Sequence, residues 1–137
     1  MGIKRYSDLR VWHCGMALAE AVYKASARFP RSELFGLRAQ IQRCAISIPS
    51  NIAEGHARGT TREFLRFLSI ALGSTAELET QLQLASRLGY VDQSALDDLQ
   101  QQAGEIGRML QGLRASLQRR LRRPTDQQGL LSLVPSP

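Results

Sequence analysis

Residues 60–89 read TTREFLRFLSIALGSTAELETQLQLASRLG and form the most regular segment of the chain. Apolar or small side chains recur there in alternating steps of four and three residues, as in a helix that packs along a seam. These positions are Phe64, Leu68, Ala71, Thr75, Leu78, Leu82 and Ala85. Thr60 or Thr61 is suited to cap the start of the helix, and Gly89 is suited to end it. The segment therefore predicts one long helix that packs against others.

Three further helical patterns flank this segment. The first begins after Ser7 or Asp8, stops at Pro30, and carries Leu9, Trp12, Met16, Ala19 and Tyr23 at helical spacing. The second begins after Ser32, is closed by Gly55 and Gly59, and carries Leu34, Leu37, Ile41, Ala45, Ile48 and Ile52. The fourth begins after Ser94, ends at Pro124, and carries Leu96, Leu99, Ala103, Ile106, Leu110, Leu113 and Leu117. The sequence thus predicts four helices.

The connections between these helices are short, and no strand pattern is present. Short connections favour antiparallel neighbours, so we expect an all-α, antiparallel, up-down-up-down four-helix bundle over residues 1–123. Residues 124–137 contain Pro124, Pro135 and Pro137 without helical periodicity and are interpreted as a loose C-terminal tail. Whether its apolar residues 130–134 dock on a neighbouring subunit stays open.

A proline interrupts the pattern of the second helix. Pro49 lacks an amide hydrogen and obstructs the carbonyl of Ala45, so we expect a kink there. Polar residues share a face around it and recur opposite it in the third helix: Ser47, Asn51, Glu54, Ser74 and Glu77. We interpret this set as a structural polar network that stabilises the kink and the helix register. The alternative is a ligand site at Asn51, Glu54 and Glu77, which predicts an enclosed polar pocket.

Catalytic and metal-binding patterns are not found in the sequence. His13 and His56 are the only histidines, and neither follows a glutamate by three residues, as a di-iron bundle site requires. Glycine-rich phosphate loops and nucleophile motifs are missing, and Cys14 and Cys44 are interpreted as reduced core residues. We therefore expect no enzymatic activity, metal, cofactor or small-molecule substrate. Because no apolar run approaches the roughly 20 residues of a membrane span, we expect a cytoplasmic protein without membrane contact.

Positive charge is concentrated in the predicted bundle. The chain has 18 Lys and Arg against 12 Asp and Glu, a net charge of +6. An antiparallel bundle would gather ten cations at one end: Lys4, Arg5, Arg10, Arg58, Arg62, Arg66, Arg119, Arg120, Arg122 and Arg123. With Asp8, Glu54 and Glu63 beside them, the local excess is seven positive charges. Such a patch is suited to a phosphate backbone, so these ten residues are candidates for nucleic-acid binding.

Two predicted helices carry more apolar residues than one core-facing stripe needs. The extra positions are Cys14, Ala17, Leu18 and Ala21 in the first helix and Leu65, Phe67, Ile70 and Leu72 in the third. This surplus indicates self-association, although a wide core-facing stripe would also account for it.

Several motifs are similar to those of a known family. In order they are Asp8-Leu9-Arg10-Val11-Trp12, Phe29-Pro30-x-x-Glu33-Leu34-Phe35-Gly36-Leu37, Gln40-x-x-Arg43-x-Ala45-x-Ser47-Ile48-Pro49-Ser50-Asn51-Ile52-Ala53-Glu54-Gly55, Arg58, Glu63-Phe64-x-x-Phe67-Leu68, Ala71-x-Gly73-Ser74 and Glu77-Leu78-Glu79-Thr80. Across about residues 6–120 the chain resembles the bacterial four-helix-bundle family named for reading frames in intervening sequences of 23S ribosomal RNA genes.

This resemblance implies a four-helix bundle that assembles as a homopentameric ring. More distantly, the chain is similar to accessory proteins of diversity-generating retroelements, which are basic pentamers that bind nucleic acid and a reverse transcriptase. The resemblance brings no catalytic residues with it. We therefore expect a non-enzymatic homopentamer whose basic end binds RNA or a ribonucleoprotein. The alternative is a protein-binding scaffold or adaptor without affinity for nucleic acid.

Overall fold

The computed structural model describes residues 5–122, which form four helices and no strand. The helices are α1 (Arg10–Ser26), α2 (Leu37–Ala57), α3 (Thr61–Arg87) and α4 (Gln93–Arg122), with short 3-10 helices at Tyr6–Asp8 and Arg31–Glu33. Each long helix packs against two others, α1 and α3 both lying against α2 and α4. The four helices thus enclose one core, which confirms the all-α four-helix bundle. The tail predicted at 124–137 lies outside the described residues.

The seam predicted for α3 forms the centre of this core. All seven of its positions are buried, from Phe64 to Ala85. The hydroxyl of Thr75 is buried among them and donates to the Ala71 carbonyl at 2.8 Å, which satisfies its only donor. Thr60 caps the helix by accepting the Glu63 amide at 3.1 Å, and Gly89 follows its end with φ +80°. Both predicted boundaries of α3 are confirmed.

The buried face of α1 matches the predicted one only in part: Leu9 and Ala19 are buried and Trp12 packs against the core. Val11, Leu18 and Val22 face the core, whereas Met16 and Tyr23, which the pattern of large side chains favoured, are 47% and 41% exposed. The reason lies at Gly15, where an added Cβ would meet the Pro49 ring at 3.4 Å. The glycine lets the α1 backbone approach α2 closely, so the helix turns its smaller side chains inward.

Two predicted helix starts are wrong because carboxylates, not serines, cap the helices. Ser32 lies within a 3-10 helix, and α2 begins at Leu37, whose amide donates to Glu33 Oε1 at 2.9 Å. Ser94 lies inside α4, whose Ala95 amide donates to Asp92 Oδ1 at 2.8 Å. A carboxylate near a helix N-terminus also benefits from the helix dipole, which a serine hydroxyl does not match.

Glu33 joins two loops as well as capping α2, and this makes a pH-dependent contribution to stability. Its Oε2 accepts the Tyr90 hydroxyl at 2.9 Å. The Leu37 amide and then the Tyr90 hydroxyl hold the pKa of the Glu33 carboxyl below its ordinary 4.5. Such a group stabilises the fold above its unfolded-state pKa, and the contribution is lost as pH falls through the lower folded-state value.

We therefore expect Tyr90→Phe to lower the melting temperature at pH 7 and to flatten its decline between pH 5 and pH 3. Removing the hydroxyl brings the folded-state pKa of Glu33 closer to its unfolded value, so less stability is left to lose in acid. Thermal unfolding followed by circular dichroism at several pH values measures this. Parallel pH profiles for the variant and the native chain would contradict the assignment.

Candidate functional site

Eight of the ten predicted nucleic-acid-binding cations lie within the described residues, and Lys4 and Arg123 lie outside them. The eight are exposed to solvent: Arg5, Arg10, Arg58, Arg62, Arg66, Arg119, Arg120 and Arg122. A cation must be exposed in order to contact a phosphate backbone, and all eight meet this condition. Their pairing with carboxylates, however, divides them into two groups.

Two arginines at the α2–α3 junction, Arg58 and Arg66, are bound to acidic neighbours. Arg58 Nη2 lies 3.0 Å from Glu54 Oε2, and its Nη1 lies 3.7 Å from Glu63 Oε1. Arg66 Nε contacts the other oxygen of Glu63 at 3.3 Å. Both guanidinium groups also stack over the Phe67 ring, at 5.0 Å and 4.6 Å from its centroid. Their charge is therefore partly neutralised and their positions are restrained.

The arginines at the end of α4 are not compensated in this way. Arg119, Arg120 and Arg122 lie in the last turn of that helix. Among residues 5–122 none of the three has a carboxylate within ion-pair distance. A helix C-terminus favours cations because its carbonyl groups are unpaired, which accounts for part of this enrichment. The end of α4 nevertheless presents three exposed arginines within four residues and without an ion pair among the described residues.

The predicted polar network is only partly assembled, and it lines an open groove between α2 and α3. The groove has a volume of about 490 Å³, and its lining residues are Gln40, Arg43, Cys44, Ser47, Asn51, Ile70, Ser74, Glu77 and Gln81. It therefore unites four of the five predicted residues. Glu54 is the exception, since it pairs with Arg58 and lines a second groove between α1 and α2. The sequence predicts an enclosed pocket for a ligand site, whereas this groove opens to the surface.

The hydrogen bonds of this groove differ from the expected cross-helix network. Ser47 Oγ donates to the Cys44 carbonyl and Asn51 Nδ2 donates to the Ser47 carbonyl, both at 2.7 Å and both within α2. The contact that crosses to α3 comes from Cys44, whose Sγ donates to the Ser74 carbonyl at 3.1 Å. Sequence reasoning treated this cysteine as a plain core residue because its weak thiol donor leaves no pattern.

The Cys44 thiol is strongly disfavoured as a thiolate. Burial first, and then the charge and hydrogen bond of Glu77, raise its pKa from 9.0 to about 12. Because the thiolate is the reactive species, we expect iodoacetamide to leave Cys44 unmodified in the folded chain at pH 8 and to label it in urea. Mass spectrometry of the alkylated peptides measures this. Equal labelling rates in both conditions would contradict the assignment.

The same shift predicts a pH effect on stability. A thiol whose pKa is raised on folding stabilises the fold fully below its unfolded value, and the contribution is lost as pH rises from about 9 toward 12. Glu77→Gln removes the carboxylate charge and should weaken this alkaline loss.

The predicted apolar surplus is mostly core, and the exposed apolar residues gather elsewhere. Leu18 and Phe67 are buried, while Cys14, Ala21, Leu65 and Leu72 pack against the core from its edge. The groove between α1 and α2 has a volume of about 700 Å³ and is lined mainly by apolar groups, among them Trp12, Met16, Tyr23, Ile46 and Pro49. The sequence analysis placed Trp12, Met16 and Tyr23 of this face toward the core, whereas in the structure they line an apolar surface groove.

The histidines have structural contacts. His13 Nε2 lies 2.8 Å from the Ser7 carbonyl, and His56 packs edge-on against Phe64 with the ring centroids 5.6 Å apart. Within residues 5–122 no three His, Cys, Asp or Glu side chains are grouped so that they could hold a metal ion. In the same range no helix is both long and apolar enough to cross a membrane.

Comparison with known proteins places these features in context. The family model described as 23S rRNA-intervening sequence protein matches residues 7–112. A crystal structure of a protein with unknown function from the S23 ribosomal protein family of Bacteroides thetaiotaomicron VPI-5482 is similar in fold, with a TM-score of 0.68 and 25% sequence identity. That similarity covers 75% of this chain and 96% of the other. No curated protein matches the sequence.

Proposed function

Since this chain belongs to the 23S rRNA-intervening sequence protein family, we propose that it is a cytoplasmic, non-enzymatic homopentamer whose basic end binds RNA or a ribonucleoprotein. One observation supports this most directly. Arg119, Arg120 and Arg122 are exposed and unpaired in the last turn of α4, within the part of the chain that the structure describes. Uncompensated arginines bind phosphate through charge and paired N–H donors without reading base sequence.

An antiparallel bundle places these arginines beside the other cations, and the helix contacts support it. Gly15 meets Pro49 near the start of α1, whereas Ser26 at its end accepts a hydrogen bond from Gln42. Residue numbers thus rise along α1 as they fall along α2, and contacts between α2 and α3 follow the same order. In this arrangement, with α2 bending at Pro49, the start of α1, the α2–α3 connection and the end of α4 share one end.

The nucleic-acid proposal is tested by reversing charge at the end of α4. We expect the triple variant R119E/R120E/R122E to bind a labelled RNA hairpin at least about tenfold more weakly at low salt, because about three phosphate contacts are lost. The slope of log affinity against log salt should fall by about two to three. Fluorescence anisotropy across a salt series measures both quantities.

A matched control carries the same change in net charge at other positions. R28E/R31E/R87E also reverses three exposed arginines, outside the ten predicted cations. If both triple variants lose affinity equally, binding reflects net charge alone. If the native chain does not bind RNA at low salt, the proposal fails.

Assembly of five copies would repeat the basic end five times on one face of a ring. We assign the contact between copies to the apolar groove of α1 and α2, where Met16, Tyr23 and Ile46 are exposed. Light scattering should then give about five times the chain mass of 15.2 kDa. Met16→Glu and Ile46→Glu should reduce that mass, because each places a charge in an apolar contact, while Leu84→Glu on α3 should not. A monomer at micromolar concentration would contradict the ring.

A second candidate function is a scaffold for a protein partner, and one surface feature favours it. Phe35 is 92% exposed in the connection before α2, with Leu34 exposed beside it. An aromatic side chain this accessible is a typical anchor of protein interfaces. This function predicts that the chain captures a protein partner. The capture should not change with salt, with nuclease or with charge reversal of the α4 arginines. Recovery of the same protein with and without nuclease would favour the scaffold over RNA binding.

A further inference from the structure

We propose that the groove between α2 and α3 binds a small zwitterion of the α-amino-acid class, its carboxylate on Arg43 and its ammonium on Glu77. This site is separate from the basic end and goes beyond the proposed function. Sequence reasoning favoured a purely structural role for these polar residues and no small-molecule substrate. The open, incompletely paired groove is what changes that interpretation.

The two charged residues of the groove lie on opposite walls and do not pair. Arg43 projects from α2 and Glu77 from α3, and both are exposed groove residues. No ion pair joins either of them to another residue between Arg5 and Arg122. Arg58 and Arg66, by contrast, reach carboxylates on or beside their own helices. The gap between Arg43 and Glu77 thus offers a cationic donor and an anionic acceptor to a ligand with the complementary pair.

A buried acceptor in the same groove lacks a hydrogen-bond partner among the described residues. Gln81 lines the groove, is only 9% exposed, and its fully buried Oε1 has no hydrogen-bond partner among the described residues. Buried polar atoms are nearly always hydrogen-bonded in native proteins, so such an atom calls for a donor. Gln81 follows Glu77 by one helical turn and therefore shares its face of α3. Glu77 therefore presents the exposed acceptor for an ammonium group, and Gln81 Oε1 becomes a second acceptor only when its side chain rotates toward the groove.

The α2 wall supplies the opposite polarity. The guanidinium of Arg43 presents a planar fork of N–H donors that matches a carboxylate, and the amide of Gln40 adds further donors. Ser47 and Asn51 donate to carbonyls of their own helix. The charged donor Arg43 and the charged acceptor Glu77 thus lie on opposite walls of the groove, as the two ends of an amino acid require.

The volume of the groove and the charges of its lining residues agree with a small ligand. A volume of about 490 Å³ falls within the range of small-molecule sites. Burial and Glu77 keep the pKa of Cys44 near 12, so its thiol is neutral and Glu77 carries the one negative charge of the lining. Ile70 provides an exposed apolar contact for a ligand side chain.

Saturation-transfer difference NMR on the full chain tests this site with glycine, L-leucine, L-glutamine and L-arginine at millimolar concentration. We expect at least one of them to bind, and Arg43→Gln and Glu77→Gln each to weaken it about tenfold or more, since each removes a charged hydrogen bond. Glu79→Gln and Arg87→Gln, which alter charges outside the groove, should leave the affinity unchanged. For the tightest of the four, the N-acetyl derivative should no longer respond to Glu77→Gln, and the carboxamide should no longer respond to Arg43→Gln.

Three results would overturn the site. The first is no saturation transfer to any of the four amino acids, and the second is an affinity that neither Arg43→Gln nor Glu77→Gln changes. The third is a smaller assembly mass for these variants in light scattering, which would make the groove a contact between copies. The first two results leave RNA affinity and assembly untouched, so the amino-acid site can fail while the proposed function stands.

Discussion

Replacing Leu68 by alanine is expected to lower the free energy of unfolding by about 2–5 kcal/mol, the usual cost of deleting a fully buried leucine side chain. Leu68 lies on the seam of α3, and its side chain is completely buried. Removing it takes away apolar burial and leaves a cavity that surrounding helices fill only in part. Urea unfolding followed by circular dichroism, at one fixed protein concentration, measures the change.

Leu84→Ala is the matched control for this substitution. Leu84 lies on the same helix but is 46% exposed, so the same truncation removes little burial. We expect its effect to stay within about 0.5 kcal/mol, as for most surface substitutions. Equal effects at the two positions would mean that α3 does not bury the face assigned to it.

Replacing Gly55 by alanine is expected to cost about 1–3 kcal/mol, the range typical of overpacking. A Cβ at this position would lie 2.5 Å from Phe67 Cβ and 3.3 Å from Phe64 Cδ1. The nearest atom belongs to the rigid base of a side chain, so α2 and α3 must move apart to admit the methyl group. Urea unfolding measures the loss, and the spacing of the two helices is the property tested.

Gly73→Ala provides a control that is expected to raise the free energy of unfolding rather than lower it. Gly73 lies inside α3, where an added Cβ meets nothing within 4 Å among the described residues. Alanine has the higher helix propensity, so this variant should gain about 0.5–1 kcal/mol. If both alanine variants shift stability in the same direction, packing at Gly55 does not govern the α2–α3 contact.

The helices themselves were predictable wherever one apolar period was unambiguous. The α3 seam from Phe64 to Ala85 was identified completely because its large side chains and its core face coincide. In α1 the two diverge, since Met16 and Tyr23 are larger than Val11 and Val22 yet lie outward. The orientation of α1 about its own axis depends on the contact between Gly15 and Pro49. These two residues are far apart in the sequence, so the contact leaves no local periodicity.

The candidate sites were predictable as sets of residues but not as arrangements. Sequence reasoning identified the exposed arginines, whereas the pairing of Arg58 and Arg66 with Glu63 depends on how α2 meets α3. It likewise grouped Ser47 with Asn51 by helical spacing. The sequence did not indicate that Gln81 lines the groove between α2 and α3, because an unpaired buried amide oxygen results from packing and has no sequence signature.

The stacking of Arg58 and Arg66 on Phe67 has a consequence for side-chain entropy. Arginine side chains lose up to about 2 kcal/mol of rotamer freedom when they are immobilised. At Phe67 much of that ordering accompanies folding, so a ligand arriving there meets side chains already oriented. Arg119, Arg120 and Arg122 lack such restraint among the described residues, and a ligand must order them itself. For the RNA binding proposed above, the arginines stacked on Phe67 would be preorganised contacts, and those in the last turn of α4 would be adaptable contacts.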